Sequence, residues 1–227
     1  GSLGGHILKW TKEECLKDLP PKQFVKIPLP ISYAVIPKDS KDKDSLEVEA
    51  ELVRRAIESG ASPGAIPANL ATHRRLQGEK KVPAIVEFVE DLLEQDIPIV
   101  IFAWHRTVIA ALQQALGKYN PSVITGETPP NARRDGVAAF QSGETLLFIG
   151  NMGAAGVGIT LTASSTVVLA ELDWSPTSVS QAVDRCDRIG AKSMVTAYYF
   201  SVEKSLDEAI ENTLMSRIKI FKSILDA

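Results

Sequence analysis

The residues best equipped for chemistry lie close together, in the stretch QAVDRCDRIG at 181–190. On a helix, Gln181, Asp184, Arg185 and Arg188 occupy i, i+3, i+4 and i+7 and share one face. A stripe of that spacing is ordinarily apolar and turned toward a core. This one is polar and cationic, so it faces either water or an anion. In the first case the arginines simply complement the negative end of the helix macrodipole. In the second they project toward a polyphosphate held elsewhere. Arginine suits that task because its charge is permanent and its planar fork of donors matches phosphoryl oxygens. The ten residues alone leave both readings open.

Other groups narrow the chemistry. GNMGAAGVGIT (150–160) sets Gly153, Gly156 and Gly158 in the order G-x-x-G-x-G, which permits close approach to a phosphate or to another backbone segment. That order reverses the dinucleotide fingerprint and disfavours a Rossmann cofactor site. The alternative is a tight strand-to-helix turn with no ligand. No G-x-x-x-x-G-K-[ST] loop occurs, so the chain lacks the usual equipment for holding ATP phosphates and magnesium by itself. His6, His73 and His105 are too scattered for a metal site or a catalytic triad, and no metal site is expected. The basic run THRRLQGEKK (72–81) reads as a solvated loop, with contact to a nucleic-acid backbone as the alternative. Trp174 follows a strand end and either stacks on a partner or anchors the next helix.

Something must hold these residues in place, and the carboxyl-terminal two-thirds alternates regularly enough to do so. The segments 97–104, 122–125, 145–150, 166–172 and 195–200 are short apolar runs that read as strands. Between them, 107–117, 130–141 and 175–190 read as helices, the last with Ser175 as N-cap, Pro176 at its first position and Gly190 at its exit. A final amphipathic helix covers 205–225, with Leu206, Ile210, Leu214, Phe221 and Leu225 on or near one side. Strands without polar alternation, separated by helices, predict an α/β fold with a parallel sheet covered on both faces. Ligands in such sheets collect at the carboxyl ends of strands, which directs attention to 104–107, 125–130, 150–165, 172–176 and 200–205.

The first eighty residues differ. GSLGGH (1–6) reads as a cloning remnant, 22–30 as a possible strand, 37–45 as a charged connector, 45–60 as a capped helix and 60–67 as a loop. An amphipathic helix over 81–95 leads into the first sheet strand. The predicted organisation is thus a mainly helical accessory and linker segment over 7–80, then an α/β lobe over 81–227.

The 227 residues are 44% hydrophobic, enough for a sizeable core. The net charge of −3 excludes a generally basic nucleic-acid coat but permits a local cationic cleft. Cys15 and Cys186, the only cysteines, lack metal-ligand spacing and suit a reducing interior. No run approaches a membrane span.

Taken in order, the segments resemble the second RecA-like lobe of a Swi/Snf-type helicase-superfamily ATPase. IVIFAWHR resembles that family's motif IV, and ITGETPPNARRDGVAAFQ the segment that follows it. GNMGAAGVGITLTASSTVVLAELDWSP resembles motif V and its extension, and QAVDRCDRIG resembles motif VI, whose family form is close to Q-A-x-D-R-x-H-R-I-G-Q. LKWTKEECLKDLPPK resembles the segment after the first lobe. AELDWSP and KVPAIVEFVEDLLE lean toward the annealing-helicase branch.

The resemblance implies a RecA-like carboxyl-terminal lobe and favours the polyphosphate reading of the arginine stripe. It assigns Arg188 as arginine finger, with Arg185 and Gln181 beside it, all facing ATP and magnesium held mainly by a first lobe that is not in this chain. Gly156, Gly158 and Asp184 would lie close to that nucleotide. His105, Arg106, Thr125, Gly126, Asn151 and Trp174 would approach DNA through its backbone. The implied partners are DNA, duplex or branched, and the amino-terminal RecA-like lobe of the same protein, with no membrane. The implied setting is intracellular: a bacterial cytoplasm, a virus-infected cell or a nucleus. Departures from the pattern are Asp187 for the usual histidine, Ala191 for the glutamine after Gly190, Asn151 for Ser or Thr, and Thr160 for Asn. The short, nondescript 37–67 region makes a viral or bacterial translocase a better expectation than a nucleosome remodeller. The rival readings are an RNA helicase lobe, a non-catalytic nucleic-acid-binding module and a stand-alone nucleotide-cofactor enzyme.

Overall fold

A computed structural model describes residues 7–8, 22–35, 68–153, 158–173, 175–187 and 194–225. Seven strands form one sheet: β1 (Ile7–Leu8), β2 (Lys22–Leu29), β3 (Ile99–Ala103), β4 (Ser122–Ile124), β5 (Leu147–Asn151), β6 (Thr166–Leu169) and β7 (Val195–Val202). The order across the sheet is β1-β2-β7-β6-β3-β5-β4. Every pairing is parallel except β1 with β2, which is antiparallel. The expected parallel α/β architecture is present, and the segment at 22–30 is a full strand of it, registered from Lys22↔Val195 to Leu29↔Val202.

Among the described residues, five α-helices cover the sheet: α1 (Ala68–Leu93), α2 (Arg106–Ala115), α3 (Pro130–Ser142), α4 (Pro176–Asp184) and α5 (Leu206–Leu225). The central strands β3, β5 and β6 are almost entirely apolar because both of their faces are buried, one residue to each side in turn. On β3, Val100 and Phe102 enter one core, with Phe140 of α3, Val179 and Val183 of α4 and Ile210 of α5. Ile99, Ile101 and Ala103 enter the other, with Ile85 and Val89 of α1 and Val108 and Leu112 of α2. Helix α4 starts as expected, with Ser175 Oγ accepting from Ser178 N at 3.3 Å and Pro176 at the first position. Leu206, Ile210 and Leu214 of α5 are buried.

The clearest correction concerns 72–81, which is the first part of α1 and not a solvated loop. The helix runs on through Pro83. His73, Arg74, Gln77 and Lys81 are all buried. Arg74, Gln77, Gly78 and Lys81 continue the face of Val82, Ile85 and Val89 at helical spacing. Gln77 and Lys81 are met by specific partners. Gln77 donates to Tyr33 O and accepts from Val35 N, both at 2.9 Å. Lys81 pairs with Asp207 at 2.9 Å and donates to Phe200 O at 3.3 Å. Burial without such partners would be prohibitive, and with them the helix docks in one register. Helix α1 passes through residue 80, where the sequence placed a segment boundary. The expected connector at 37–45, helix at 45–60 and loop at 60–67 lie outside the described residues.

Candidate functional site

In a parallel sheet every strand ends on the same edge, so the turns after β3, β4, β5 and β6 lie together. After β3, Arg106 opens α2 and His105 is its N-cap residue, yet His105 makes no side-chain capping bond. The exposed Arg106 forms a two-pronged ion pair with Glu127, from the turn after β4. Thr125 anchors that turn: its N–H donates to Thr128 Oγ1 at 2.9 Å and its carbonyl accepts from Thr128 N at 3.2 Å. Gly126 is exposed beside it. After β5, Asn151 Nδ2 donates to Trp104 O at 2.7 Å and Asn151 Oδ1 accepts from Gly153 N at 2.9 Å. The Asn151 side chain therefore ties two of these turns together.

Beneath them sits Glu171, which is 3% exposed. Its Oε2 accepts from the backbone N–H groups of Trp104 and His105, both at 2.8 Å, and its Oε1 lies 2.5 Å from His105 Nδ1. Burial raises the pKa of this carboxyl. The hydrogen bonds and charge of His105, with the charge of Arg74, outweigh burial and hold it below the usual value. Arg74 donates to Leu172 O at 2.6 Å and its guanidinium lies 5.2 Å from the Trp104 ring centroid. Asp173 is also buried, with Oδ1 lacking a hydrogen-bond partner among the described residues.

The arginine stripe lies elsewhere. Helix α4 follows β6 and runs back across the sheet, so its end approaches the opposite, amino edge. Two contacts fix that placement. Asp184 forms an ion pair with Lys22, the first residue of β2. Arg185 O accepts from Leu161 N at 2.8 Å, and Leu161 precedes β6. Within α4, Ser180 Oγ donates to Asp184 Oδ2 at 3.4 Å. Gln181 is exposed. Arg185 is half-buried, and its Nε is buried with no hydrogen-bond partner among the described residues. Cys186 next to it is core: burial, with Asp187 adding to the effect, pushes its thiol up to about 12. Gly158 is exposed and left-handed at φ 53°. Arg188, Gly156, Gly190 and Trp174 lie outside the described residues.

The candidate residues thus fall into two groups on opposite edges of the sheet: His105, Arg106, Thr125, Gly126 and Asn151 on one, Asp184 and Arg185 on the other. At the carboxyl edge Met152 N donates to Ala103 O, and at the amino edge Leu161 N donates to Arg185 O, both at 2.8 Å. Glu171, Arg74 and Lys22 escaped the sequence reading. Two acids within the apolar AELDW stretch, and a lysine opening an otherwise half-buried strand, were the available signals.

The chain is similar in sequence and fold to known proteins. Residues 80–190 match the helicase conserved C-terminal domain. The mouse DNA annealing helicase and endonuclease ZRANB3 is 31% identical over 229 residues, covering 99% of this chain and 21% of that protein. The SWI/SNF-related matrix-associated actin-dependent regulator of chromatin subfamily A-like protein 1 of Drosophila melanogaster is 28% identical over 222 residues, covering 96% of this chain and 28% of that protein. The chain therefore spans less than a third of the length of these two relatives. The fold also matches the C-terminal part of the Fun30 ATPase domain, with a TM-score of 0.55 and 22% identity over 60% of this chain and 45% of that one. The chain belongs to the Swi/Snf-type helicase family, as its carboxyl-terminal RecA-like lobe, and groups with the annealing-helicase branch.

Proposed function

We propose that the chain is the second lobe of an ATP-dependent DNA translocase or helicase, supplying arginine fingers to a nucleotide held on a first lobe and gripping DNA by its backbone. ATP and magnesium belong mainly to that first lobe. From this side Arg188, Arg185 and Gln181 reach the phosphates, with Gly156, Gly158 and Asp184 close by. Arg185 suits the role because part of its guanidinium is desolvated without a partner among the described residues, and an anionic substrate satisfies such a group. Its permanent charge stabilises charge developing on the transferring phosphoryl oxygens. Asp184 does not cancel it, since Lys22 already pairs with that carboxylate.

At the other edge His105, Arg106, Thr125, Gly126, Asn151 and Trp174 form the strand grip. Cations, hydroxyls and turn amides suit phosphate contacts, which position a protein on DNA without reading its sequence. The lobe alone is inactive as an ATPase, because it has no phosphate-binding loop of its own. The protein works inside cells, on replicating or damaged DNA, a setting consistent with relatives named as DNA annealing helicases.

The observation that carries this reading is Arg185, half-buried next to the Lys22–Asp184 pair with its Nε lacking a hydrogen-bond partner among the described residues. The test is ATP turnover by a protein containing both lobes, titrated with duplex DNA, branched DNA and RNA of equal length. DNA is expected to stimulate turnover and RNA to do so weakly, while the 227-residue chain alone hydrolyses nothing. Stimulation by RNA equal to that by DNA would favour an RNA helicase. No turnover with any nucleic acid would favour a non-catalytic binding module.

A further inference from the structure

Glu171 is a buried acid that the proposed mechanism leaves unused. Its carboxylate accepts from the two amides just before α2, Trp104 N and His105 N, from sixty-six residues away or more. His105 gives helix α2 no side-chain cap, and the Glu171 charge just before the first turn complements the positive end of the helix. The same carboxylate orients the His105 ring through Nδ1. Helix α1 presses on it from behind. A Cβ on Gly78 would come within 2.8 Å of Glu171 Oε1, so the α1 backbone lies directly against the carboxylate. Arg74, one turn earlier on α1, holds Leu172 O and covers Trp104. One buried group therefore joins α1, the 104–106 turn and the 171–173 turn.

An apolar side chain would fill this volume with no desolvation penalty. What the carboxylate adds is direction, since it fixes two peptide planes and an imidazole. We propose that Glu171 is a positioning residue for the DNA grip: it fixes His105 and the start of α2 so that His105 and Arg106 face the strand, with Arg74 and Gly78 of α1 holding Glu171 in place. The inference rests on the reading of the 104–106 turn as DNA-facing, and Arg106→Ala tests that reading separately.

The experiment measures ATP turnover of the two-lobed protein against duplex DNA concentration. Glu171→Ala is expected to raise the DNA concentration for half-maximal stimulation by about tenfold, the value of losing a charged hydrogen-bonding partner, while kcat at saturating DNA is retained. Glu171→Gln is expected to recover most of that loss, because its amide oxygen still accepts from both backbone N–H groups. If Glu171→Ala does not fold, Glu171→Asp serves: it keeps the charge, is one methylene too short to reach all three donors, and is expected to weaken DNA dependence. If Arg106→Ala weakens DNA dependence and neither Glu171→Ala nor Glu171→Asp does, the inference is overturned and the grip survives. A Glu171→Gln protein as impaired as Glu171→Ala overturns the role assigned to the Trp104 and His105 amide bonds. If Arg106→Ala itself has no effect, the DNA-facing reading fails and this inference fails with it.

Discussion

Replacing Lys81 by methionine discriminates between a buried helix and a solvated loop at 72–81. Lys81 is 1% exposed, and its ammonium pairs with Asp207 at 2.9 Å and donates to Phe200 O at 3.3 Å. Methionine keeps the apolar stem and removes all three features of the head group: its charge, its donors and its hold on α5. Asp207 is left 8% exposed, with Val202 N at 3.4 Å as a remaining donor to its carboxylate. Breaking a buried ion pair by removing one partner costs about 3–5 kcal/mol. A lysine on a solvated loop would cost about 1 kcal/mol or less. For a chain of this size, 1 kcal/mol moves Tm by about 2–4 °C, so the expected fall is about 6–20 °C. Thermal unfolding followed by circular dichroism and calorimetry measures it. The double variant Lys81→Met, Asp207→Leu is expected to regain most of the loss, because an apolar pair of similar volume is often as stable as the buried ions it replaces. A fall of about 2 °C or less in the single variant would refute the reasoning and return Lys81 to the solvent.

Three further outcomes follow from the same contacts. Glu127→Gln removes the carboxylate that holds Arg106; since exposed pairs are worth about 0.2–1 kcal/mol, DNA affinity of the two-lobed protein is expected to rise by about two- to fivefold at low salt, and a titration showing no gain would remove Glu127 from the interface. Cys186, with its thiol at about 12, is expected to resist alkylation at pH 8 in the folded chain and to react fully in urea, read by peptide mass mapping; rapid native labelling would contradict its burial. The pKa of Glu171 is depressed below its ordinary 4.5, so its contribution to stability is complete above that pH and is lost as pH falls through the lower folded value. Glu171→Gln is therefore expected to flatten the acid limb of the stability profile, and an unchanged limb would show that His105 and Arg74 do not favour the ionised form.

The parallel sheet was legible because residues such as Ile99, Val100, Ile101 and Phe102 are apolar on both sides, a pattern that a doubly covered strand requires. The α4 start was legible from Ser175 and Pro176 alone, since capping is a local event. The first part of α1 was not. Arg74, Gln77 and Lys81 occupy core positions in phase with Ile85 and Val89, and a search for apolar periodicity passes over them. Their partners, Leu172, Tyr33 and Asp207, are distant in sequence, so nothing nearby announces that the charges are satisfied. Glu171 was missed for the same reason. The types of the candidate site residues were readable from motif order, but their division between two edges of the sheet was not. That division depends on where α4 ends, and the Lys22–Asp184 and Leu161–Arg185 contacts that mark its end are tertiary.

The central claim is that this lobe completes a nucleotide site through the arginines of 185–188. The most direct test is Arg188→Ala in the protein containing both lobes, with DNA-stimulated ATP turnover and equilibrium ATP binding measured side by side. The account expects turnover to fall by about 10³-fold or more, as loss of an arginine finger does elsewhere, with ATP binding largely retained. Near-normal turnover in that variant would contradict it.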